Sequence, residues 1–395
     1  MTLRLRNILG LVAIFLAVVF AWFWQGVWLG AMTESDGHAR LEKDALGFSQ
    51  LAKESRPFYA ASLREPLFPA LLRVSLKSFH PADEHLFIRQ LTGGFGLAVI
   101  AAIGALGWRL AGPAAGALAA WLFAVSTTTV YYSISGLREP LVLLLVVLFA
   151  LCLLTGGRRS VVGLALFSVA LPLLRLESLI VIPLILAGWL ALAGRDWKRR
   201  LLPAGLAVGL AWLFALPFLI ACRKEFGSCF ALTANHATYW RNHEFAGQPG
   251  HLTRDEVVAN PYGGTRVSTA AYIFRDHSLP VVIGRYVRGY WISLTRHIPA
   301  IFAWNQVRNP LVWFWLAGVG WAVRSWRTQG IVPLIAVVAQ FPFAFIVPLD
   351  TVMPGREHAG VEIRFSLPLA PFVAVLAASG IVETGRWGWK KWWAR

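Results

Sequence analysis

The sequence predicts an all-α integral membrane protein of about ten transmembrane helices, with amphipathic helices in its first outer loop. Three observations carry that prediction. Of the 395 residues, 57% are hydrophobic and 14% charged, which leaves too little polar surface for a water-soluble globule of that length. Apolar runs of about 17 to 25 residues, the length needed to cross a hydrocarbon core of about 30 Å, recur along the chain. The charges are also sorted. Apart from Asp196 and Glu383, every acidic residue falls in one alternating set of connecting segments. Arg4, Arg6, Arg109, Arg158, Arg159, Arg195, Lys198, Arg199, Arg200, Arg324, Arg327, Arg386, Lys390, Lys391 and Arg395 occupy the other set and the two termini. The positive-inside bias places the basic set in the cytoplasm and the acidic set on the outer face.

The first element is the apolar run 8–30. It follows a basic start, lacks a small-residue cleavage site and contains Trp22, Trp24 and Trp28, so it reads as a retained helix rather than a cleaved signal peptide. Residues 31–90 form an outer segment in which Asp44, Phe48, Leu51 and Ala52 recur at helical spacing, followed by Pro66, Leu67, Leu71, Leu72 and Leu76. That pattern predicts two amphipathic helices lying along the membrane surface. Further spans are expected at 91–111, 114–133, 140–156, 160–174, 178–194 and 201–221. Residues 160–174 are short for a span, but parity supports them. The clusters Arg158–Arg159 and Arg195 to Arg200 are both basic, so an even number of crossings lies between them. Two crossings put Arg175 and Glu177 outside.

A second outer segment, 222–308, is rich in Trp, Tyr, His, Asn and Gly. That composition suits contact with sugars or headgroups and equally suits an aromatic belt at the interface. Spans at 309–324, 330–348 and 365–383 and a basic tail complete the chain. The expected organisation is thus an N-terminal transmembrane module, 1–221, an outer region, 222–308, and C-terminal helices with a cytoplasmic tail, 309–395. Small-residue runs at Gly104 to Gly107 and Ala115 to Ala120 mark close helix packing.

The net charge of +17 points to anionic membrane lipids rather than nucleic acid, because no basic cluster is interleaved with stacking aromatics on a polar surface. Cys222 and Cys229 lie on the outer side, where they could close a small disulfide loop, and Cys152 reads as ordinary packing. His236, His243, His251, His277 and His358 show no metal-ligand spacing, so no metal site is assigned and no structural zinc is expected. Absence of a Walker loop, a Gly-x-Gly-x-x-Gly fingerprint and a Gly-x-Ser-x-Gly elbow argues against an ATPase, a dinucleotide enzyme and a serine hydrolase.

The sharpest motif is Leu63-Arg64-Glu65-Pro66-Leu67, repeated as Leu137-Arg138-Glu139-Pro140-Leu141. Proline at a first helical position costs no hydrogen bond, and the neighbouring Glu favours the positive end of the helix dipole. Two readings stand: a helix-start device used twice, or a pair of guanidinium forks for a phosphate. Arg175-Leu176-Glu177 has a comparable pair of readings, as a mutually satisfied ion pair at a helix end or as part of a polar site.

In order along the chain, the Asp44 to Ala52 segment, Arg64 to Pro69, Tyr131-Tyr132-Ser133 with Gly136 to Leu141, Arg175 to Ser178, and Arg364 to Pro371 resemble the landmarks of the GT-C glycosyltransferases. These polytopic enzymes include the aminoarabinose transferases of lipid A and the protein O-mannosyltransferases. One departure is Ala45, where members with paired acids carry a second carboxylate beside the position of Asp44. The resemblance implies a sugar passed, with inversion, from a polyprenyl-phosphate donor to a lipid, glycan or protein acceptor at the outer face of the cytoplasmic membrane. It implies Asp44 as the base, with Asp36 as the alternative. Arg64, Arg138 and Arg364 are then the donor-phosphate ligands, supported by Glu65, Glu139, Arg175 and Glu177. A transporter or flippase of a lipid-linked sugar is the competing function, and would place ionisable residues and broken helices at the bilayer midplane.

Overall fold

The structure, a computed structural model, describes residues 3–36, 41, 43–54, 56–302, 310–324, 329–351 and 363–393. Every regular element among the described residues is helical. The chain opens with α1 (Leu3–Asp36), then the two short helices α2 (Lys43–Lys53) and α3 (Leu67–Phe79). Those two fill the positions expected of the amphipathic pair. α2 buries Ala45, Phe48, Ser49 and Ala52, and α3 buries Phe68, Leu72 and Ser75. Phe48 meets Phe68 edge-on at 5.1 Å, joining the two buried faces.

α4 (Glu84–Ala111) starts at Asp83, whose carboxylate accepts the Leu86 N–H at 2.9 Å. α5 (Pro113–Ala124) follows through Gly112, held at φ +93°, a backbone state open to glycine but strained for other residues. Against expectation, residues 114–133 are not one straight span. α5 and α6 (Thr127–Ser133) meet at a bend of 72°. The hydroxyl run 126–129 explains the break. Ser126 caps the Thr129 N–H at 3.1 Å, and Thr129 Oγ1 donates to the Phe123 carbonyl at 2.8 Å, so side chains take over bonds that a continuous helix would make.

Then come α7 (Glu139–Thr155), α8 (Arg158–Leu174), α9 (Ser178–Ala191) and α10 (Trp197–Phe226). α8 stops where Arg175 turns extended, with φ −155° and ψ 105°, giving the short step between the expected spans 160–174 and 178–194. Residues 222–308, expected on the outer side, contain α11 (Ala231–Glu244), α12 (Arg254–Ala259) and α13 (Leu279–Ile292). Their centre is Glu244, which accepts from Tyr272 Oη at 2.7 Å and Arg285 Nη1 at 2.9 Å and lies 2.9 Å from His277 Nε2. Cys222 and Cys229 are free thiols. α14 (Ile298–Ile301), α15 (Pro310–Arg324), α16 (Ile331–Ala344) and α17 (Ala370–Trp393) complete the described helices. α13 packs against α16, with Tyr286 stacked on Phe341 at 4.8 Å and Tyr290 Oη donating to the Val337 carbonyl at 2.6 Å.

The burial pattern is that of a multi-pass membrane protein. Phe15, Trp22 and Phe23 on α1 and Leu202 and Leu213 on α10 are exposed, an apolar rind that only a lipid solvent favours. Inside it, α17 is buried continuously from Ala370 to Ala378. Among the described residues four helices are long and apolar enough to cross a membrane, or five if the bent pair is one span, and three shorter apolar helices accompany them. Helices meet through small residues, as the Gly104 and Ala115 runs predicted. A Cβ at Gly107 would lie 3.0 Å from the Ala115 carbonyl oxygen, and one at Gly10 2.6 Å from Pro113 Cβ.

The two ends of the bundle differ in charge. Arg109 closes α4, Arg158 and Arg159 open α8, and Lys198 to Arg200 open α10. Glu65, Arg138, Glu139, Arg175 and Glu177 sit at the opposite helix ends. A Cβ added at Gly318 of α15 would collide with the Leu376 carbonyl of α17, and one at Gly289 of α13 with the Ala344 carbonyl of α16. Backbone cannot step aside as a side chain can, so Gly318→Ala and Gly289→Ala should each destabilise by about 1–3 kcal/mol. Melting of the detergent-solubilised protein, with Gly320→Ala as the unhindered control, measures that loss.

Candidate functional site

At the mixed-charge end, one carboxylate is shared by two guanidinium groups from distant parts of the chain. Asp44 lies in the first turn of α2, where the helix dipole favours an acid. Its Oδ1 accepts from Arg64 Nη2 at 2.9 Å and its Oδ2 from Arg364 Nη1 at 2.9 Å. Arg64 arrives from the turn before α3, and Arg364 from the 3-10 segment Ile363–Leu369 that leads into α17. Gly47 makes room for this arrangement, because a Cβ there would stand 2.8 Å from Arg64 Nη2.

The Asp44 side chain is 40% exposed, that of Arg64 28% and that of Arg364 19%. The cluster is therefore open to a ligand rather than sealed. Burial pushes the Asp44 carboxyl upward, but the charges and hydrogen bonds of Arg364 and Arg64 outweigh it and hold the group at about 2. Asp44 is a carboxylate at any physiological pH, and while both arginines grip it, a weakly basic one.

Beneath this open cluster is a buried one. Glu65 is 1% exposed and pairs with Arg138. Its Oε1 also accepts the Leu176 N–H at 3.0 Å, while Arg138 Nη1 donates to the Leu174 carbonyl at 2.7 Å. Arg175 faces Glu139 at 3.7 Å and lies over the Phe343 ring at 4.5 Å. Burial raises the Glu177 carboxyl, but Arg175, His236 and Arg138 outweigh it and hold it below the usual carboxylate range. Phe48 forms the floor between the two layers, 4.5 Å from the Arg64 guanidinium carbon and 5.5 Å from that of Arg138.

The twin pentapeptides are thus bound to each other. Both begin helices, since α3 follows Pro66 and α7 includes Pro140. The Glu of the first copy then neutralises the Arg of the second. Asp44, Arg64 and Arg364, expected to share a site, come together. Arg138, expected to face a donor phosphate, has its guanidinium turned onto Glu65 and the Leu174 carbonyl. Glu139, Arg175 and Glu177 line the buried layer around it. The side chain of Asp36, the alternative base, lies outside the described residues, as do His358, Arg327 and Arg395.

Sequence reasoning did not assign several neighbours. Phe48 entered as a helix-face residue and as part of the Asp44 to Ala52 landmark, and neither it nor Gly47 was given a role in the site. From residues 222–308, Tyr239 contacts Tyr262 at 5.3 Å, and Trp240 meets Phe365, the residue after Arg364, at 6.0 Å. Burial, then Tyr239 and Asp44, push the Tyr262 hydroxyl up, which brings this aromatic group within the electrostatic reach of Asp44. Burial also holds His236 of α11 below its ordinary value despite the nearby Glu177. The only signal for these residues was the aromatic richness of 222–308. Among the described residues, no three His, Cys, Asp or Glu side chains gather as a metal-ligand set.

No family model matches the sequence, and no curated protein matches it. Solved structures do. The chain is similar to the archaeal oligosaccharyltransferase AglB from Archaeoglobus fulgidus, solved with an inhibitory peptide and a dolichol-phosphate. Identity there is 12%, 94% of this chain and 50% of that one are covered, and the TM-score is 0.52. An oligosaccharyltransferase from the same organism in its apo form gives 14% identity, the same coverages and a TM-score of 0.59. Its complex with Zn and sulfate gives 15% identity, 94% and 48% coverage and a TM-score of 0.57. The chain spans about half the length of the proteins it matches. At this identity the likeness establishes architecture rather than activity, and the architecture is the GT-C membrane fold.

Proposed function

We propose that this protein is an inverting glycosyltransferase that moves a sugar from a polyprenyl-phosphate-linked donor to a lipid, glycan or protein acceptor at the outer face of the cytoplasmic membrane. The observation that carries the reading is the partly exposed carboxylate held between two arginines that are mostly buried yet still reach solvent, Asp44 with Arg64 and Arg364. Support also comes from the fold shared with an oligosaccharyltransferase solved with a dolichol-phosphate and a peptide. The surroundings of Asp44 do not fit a resident metal among the described residues, since both carboxylate oxygens face guanidinium groups and the next position is Ala45.

A donor phosphate competes with Asp44 for the same two cations. Arginine forks bind phosphate oxygens at least as well as a carboxylate, so a bound donor draws Arg64 and Arg364 away from Asp44. The carboxylate is then left with less compensating charge and becomes a stronger base. An acceptor O–H or N–H placed against it attacks the anomeric carbon from the face opposite the phosphate. The new acceptor–carbon bond forms, the carbon–oxygen bond to the phosphate breaks, and the acceptor proton passes to Asp44. Arg64 and Arg364 stabilise the charge that develops on the departing polyprenyl phosphate. Arg138 acts as a positioning residue, its charge fixed by Glu65 below the Phe48 floor.

Asp44→Asn should lower turnover about 10²–10⁴-fold while leaving expression and melting temperature near wild type. Wild-type turnover in that variant would remove Asp44 from its role. Arg64→Ala and Arg364→Ala should each lower donor kcat/KM about 10²–10³-fold, with a smaller effect on the acceptor KM. Steady-state assays with a synthetic polyprenyl-phosphate sugar separate the two, and a change confined to the acceptor would defeat the phosphate assignment. Donor moved across the bilayer without being consumed would favour a flippase instead.

The buried layer responds differently. Glu65→Ala leaves the Arg138 charge without its partner, a loss of about 3–5 kcal/mol, and the double variant with Arg138→Leu should recover much of the melting temperature. A pH dependence also follows. Asp44 stands at about 2 in the folded protein against about 3.9 unfolded. Its pairs therefore contribute fully above about pH 4 and are lost as the pH falls through about 2. The melting difference between wild type and Asp44→Asn should be flat at neutral pH and close in acid. At this exposure screening keeps it within about 1 kcal/mol.

A further inference from the structure

At the basic end of the bundle, away from the Asp44 cluster, a cavity of about 340 Å³ opens between the ends of α4, α7, α9, α10 and α16. Its polar walls are Arg109, Arg200, Trp189 and Gln329, and its apolar walls include Leu153, Leu154 and Ile331. That volume falls within the range of ligand sites, about 300–1,000 Å³. Arg200 is fixed: its Nη1 donates to the Trp189 carbonyl at 3.1 Å and its guanidinium lies 4.9 Å from the Trp189 ring centre. Arg109, exposed, lines the same cavity.

Among the described residues, no acid forms an ion pair with either cation. Asp196, one turn before Arg200, acts on it electrostatically but forms no ion pair with it, and Glu383 is already paired with Arg386. No described carboxylate comes within ion-pair distance of Arg109 or Arg200. Gln329 donates its amide to the Leu110 carbonyl at 3.3 Å, while its Oε1 is buried with no hydrogen-bond partner. A buried, unpaired acceptor of this kind costs about 1–3 kcal/mol unless a donor reaches it.

From these observations we infer that the cavity binds the headgroup of an anionic membrane phospholipid. The phosphodiester lies between Arg109 and Arg200, and a headgroup hydroxyl donates to Gln329. The chemistry fits at each point. Two guanidinium groups without carboxylates select a phosphate, and a donor beyond the phosphate satisfies the amide oxygen. Leu153, Leu154 and Trp189 border the path the acyl chains take. Basic recesses between transmembrane helices at the positive end are suited to anionic headgroups. The site makes no use of Asp44, so it stands whether or not the sugar-transfer reading does.

The test uses the purified full chain in detergent, with lipid binding followed by native mass spectrometry. The probes are phosphatidylglycerol, phosphatidylcholine and inorganic phosphate. Wild type should bind phosphatidylglycerol in preference to phosphatidylcholine, whose headgroup has no donor. Arg109→Gln with Arg200→Gln should weaken that binding about tenfold or more. The charge-matched pair Lys198→Gln with Arg199→Gln, outside the cavity lining, should leave it unchanged. Equal losses in both pairs would mean diffuse attraction to a basic surface and would overturn the site. Occupancy by inorganic phosphate that displaces the lipid would overturn the lipid assignment in favour of a soluble anion. Leu154→Trp, which fills the cavity and keeps both charges, provides an independent check should the double variant not fold. Unchanged phosphatidylglycerol binding there would also defeat the proposal.

Discussion

The site depends on one carboxylate held between two guanidinium groups. Asp44 meets Arg64 across 20 residues of sequence and Arg364 across 320, so a short helix of the first loop is tied to the segment that starts the last helix. Neither partner reaches Asp44 unless α2 lies flat against α3 and α17 runs through the centre of the bundle. Burial of Phe48 and Phe68 under α2 and α3, and the continuous burial of α17, are therefore what bring the three charges together.

The charges form two layers with different thermodynamics. In the open layer Asp44 is partly hydrated and its pairs with arginine are worth little in stability, which is what the proposed function needs if a donor phosphate is to take the place of Asp44. In the buried layer Glu65 and Arg138 have no water to fall back on, so breaking the pair exposes the full desolvation cost. The Glu65 to Leu176 N–H and Arg138 to Leu174 carbonyl bonds supply the extra partners that such a pair requires. Phe48 separates the layers and presents a π-face to the arginine above it and to the one below it. A partly exposed cluster thus rests on a buried one.

Charge also divides the molecule lengthwise. The end rich in ion pairs is where α2, α3 and the helices α11 to α13 lie, and the other end carries arginines with few acids. A membrane protein gains from such sorting twice. The basic end suits an anionic leaflet, and the mixed end can build a polar site without placing unpaired charge in hydrocarbon.

Much of the architecture was legible in the sequence because lipid and water impose a one-dimensional rule on each segment. Apolar length marked most of the helices, Pro66 and Pro140 marked two helix starts, and Phe48 with Ala52 marked the buried face of α2. The bend between α5 and α6 was missed because the run Ser126 to Thr129 is short, uncharged and flanked by apolar residues, so it passes as part of a span, and only its hydrogen bonds to the backbone reveal the break. Asp44, Arg64 and Arg364 were nameable as a group through their resemblance to known landmarks. That Arg138 would turn inward to Glu65 was not, since the two copies of Leu-Arg-Glu-Pro-Leu are identical as strings. By itself, then, the sequence determined that the chain is a helical membrane protein, where most of its long apolar helices lie, which end is basic and which residue types could serve phosphate chemistry. Which arginine stays exchangeable and which is locked away was decided only by the tertiary structure, because that depends on desolvation, and desolvation depends on what every other helix covers.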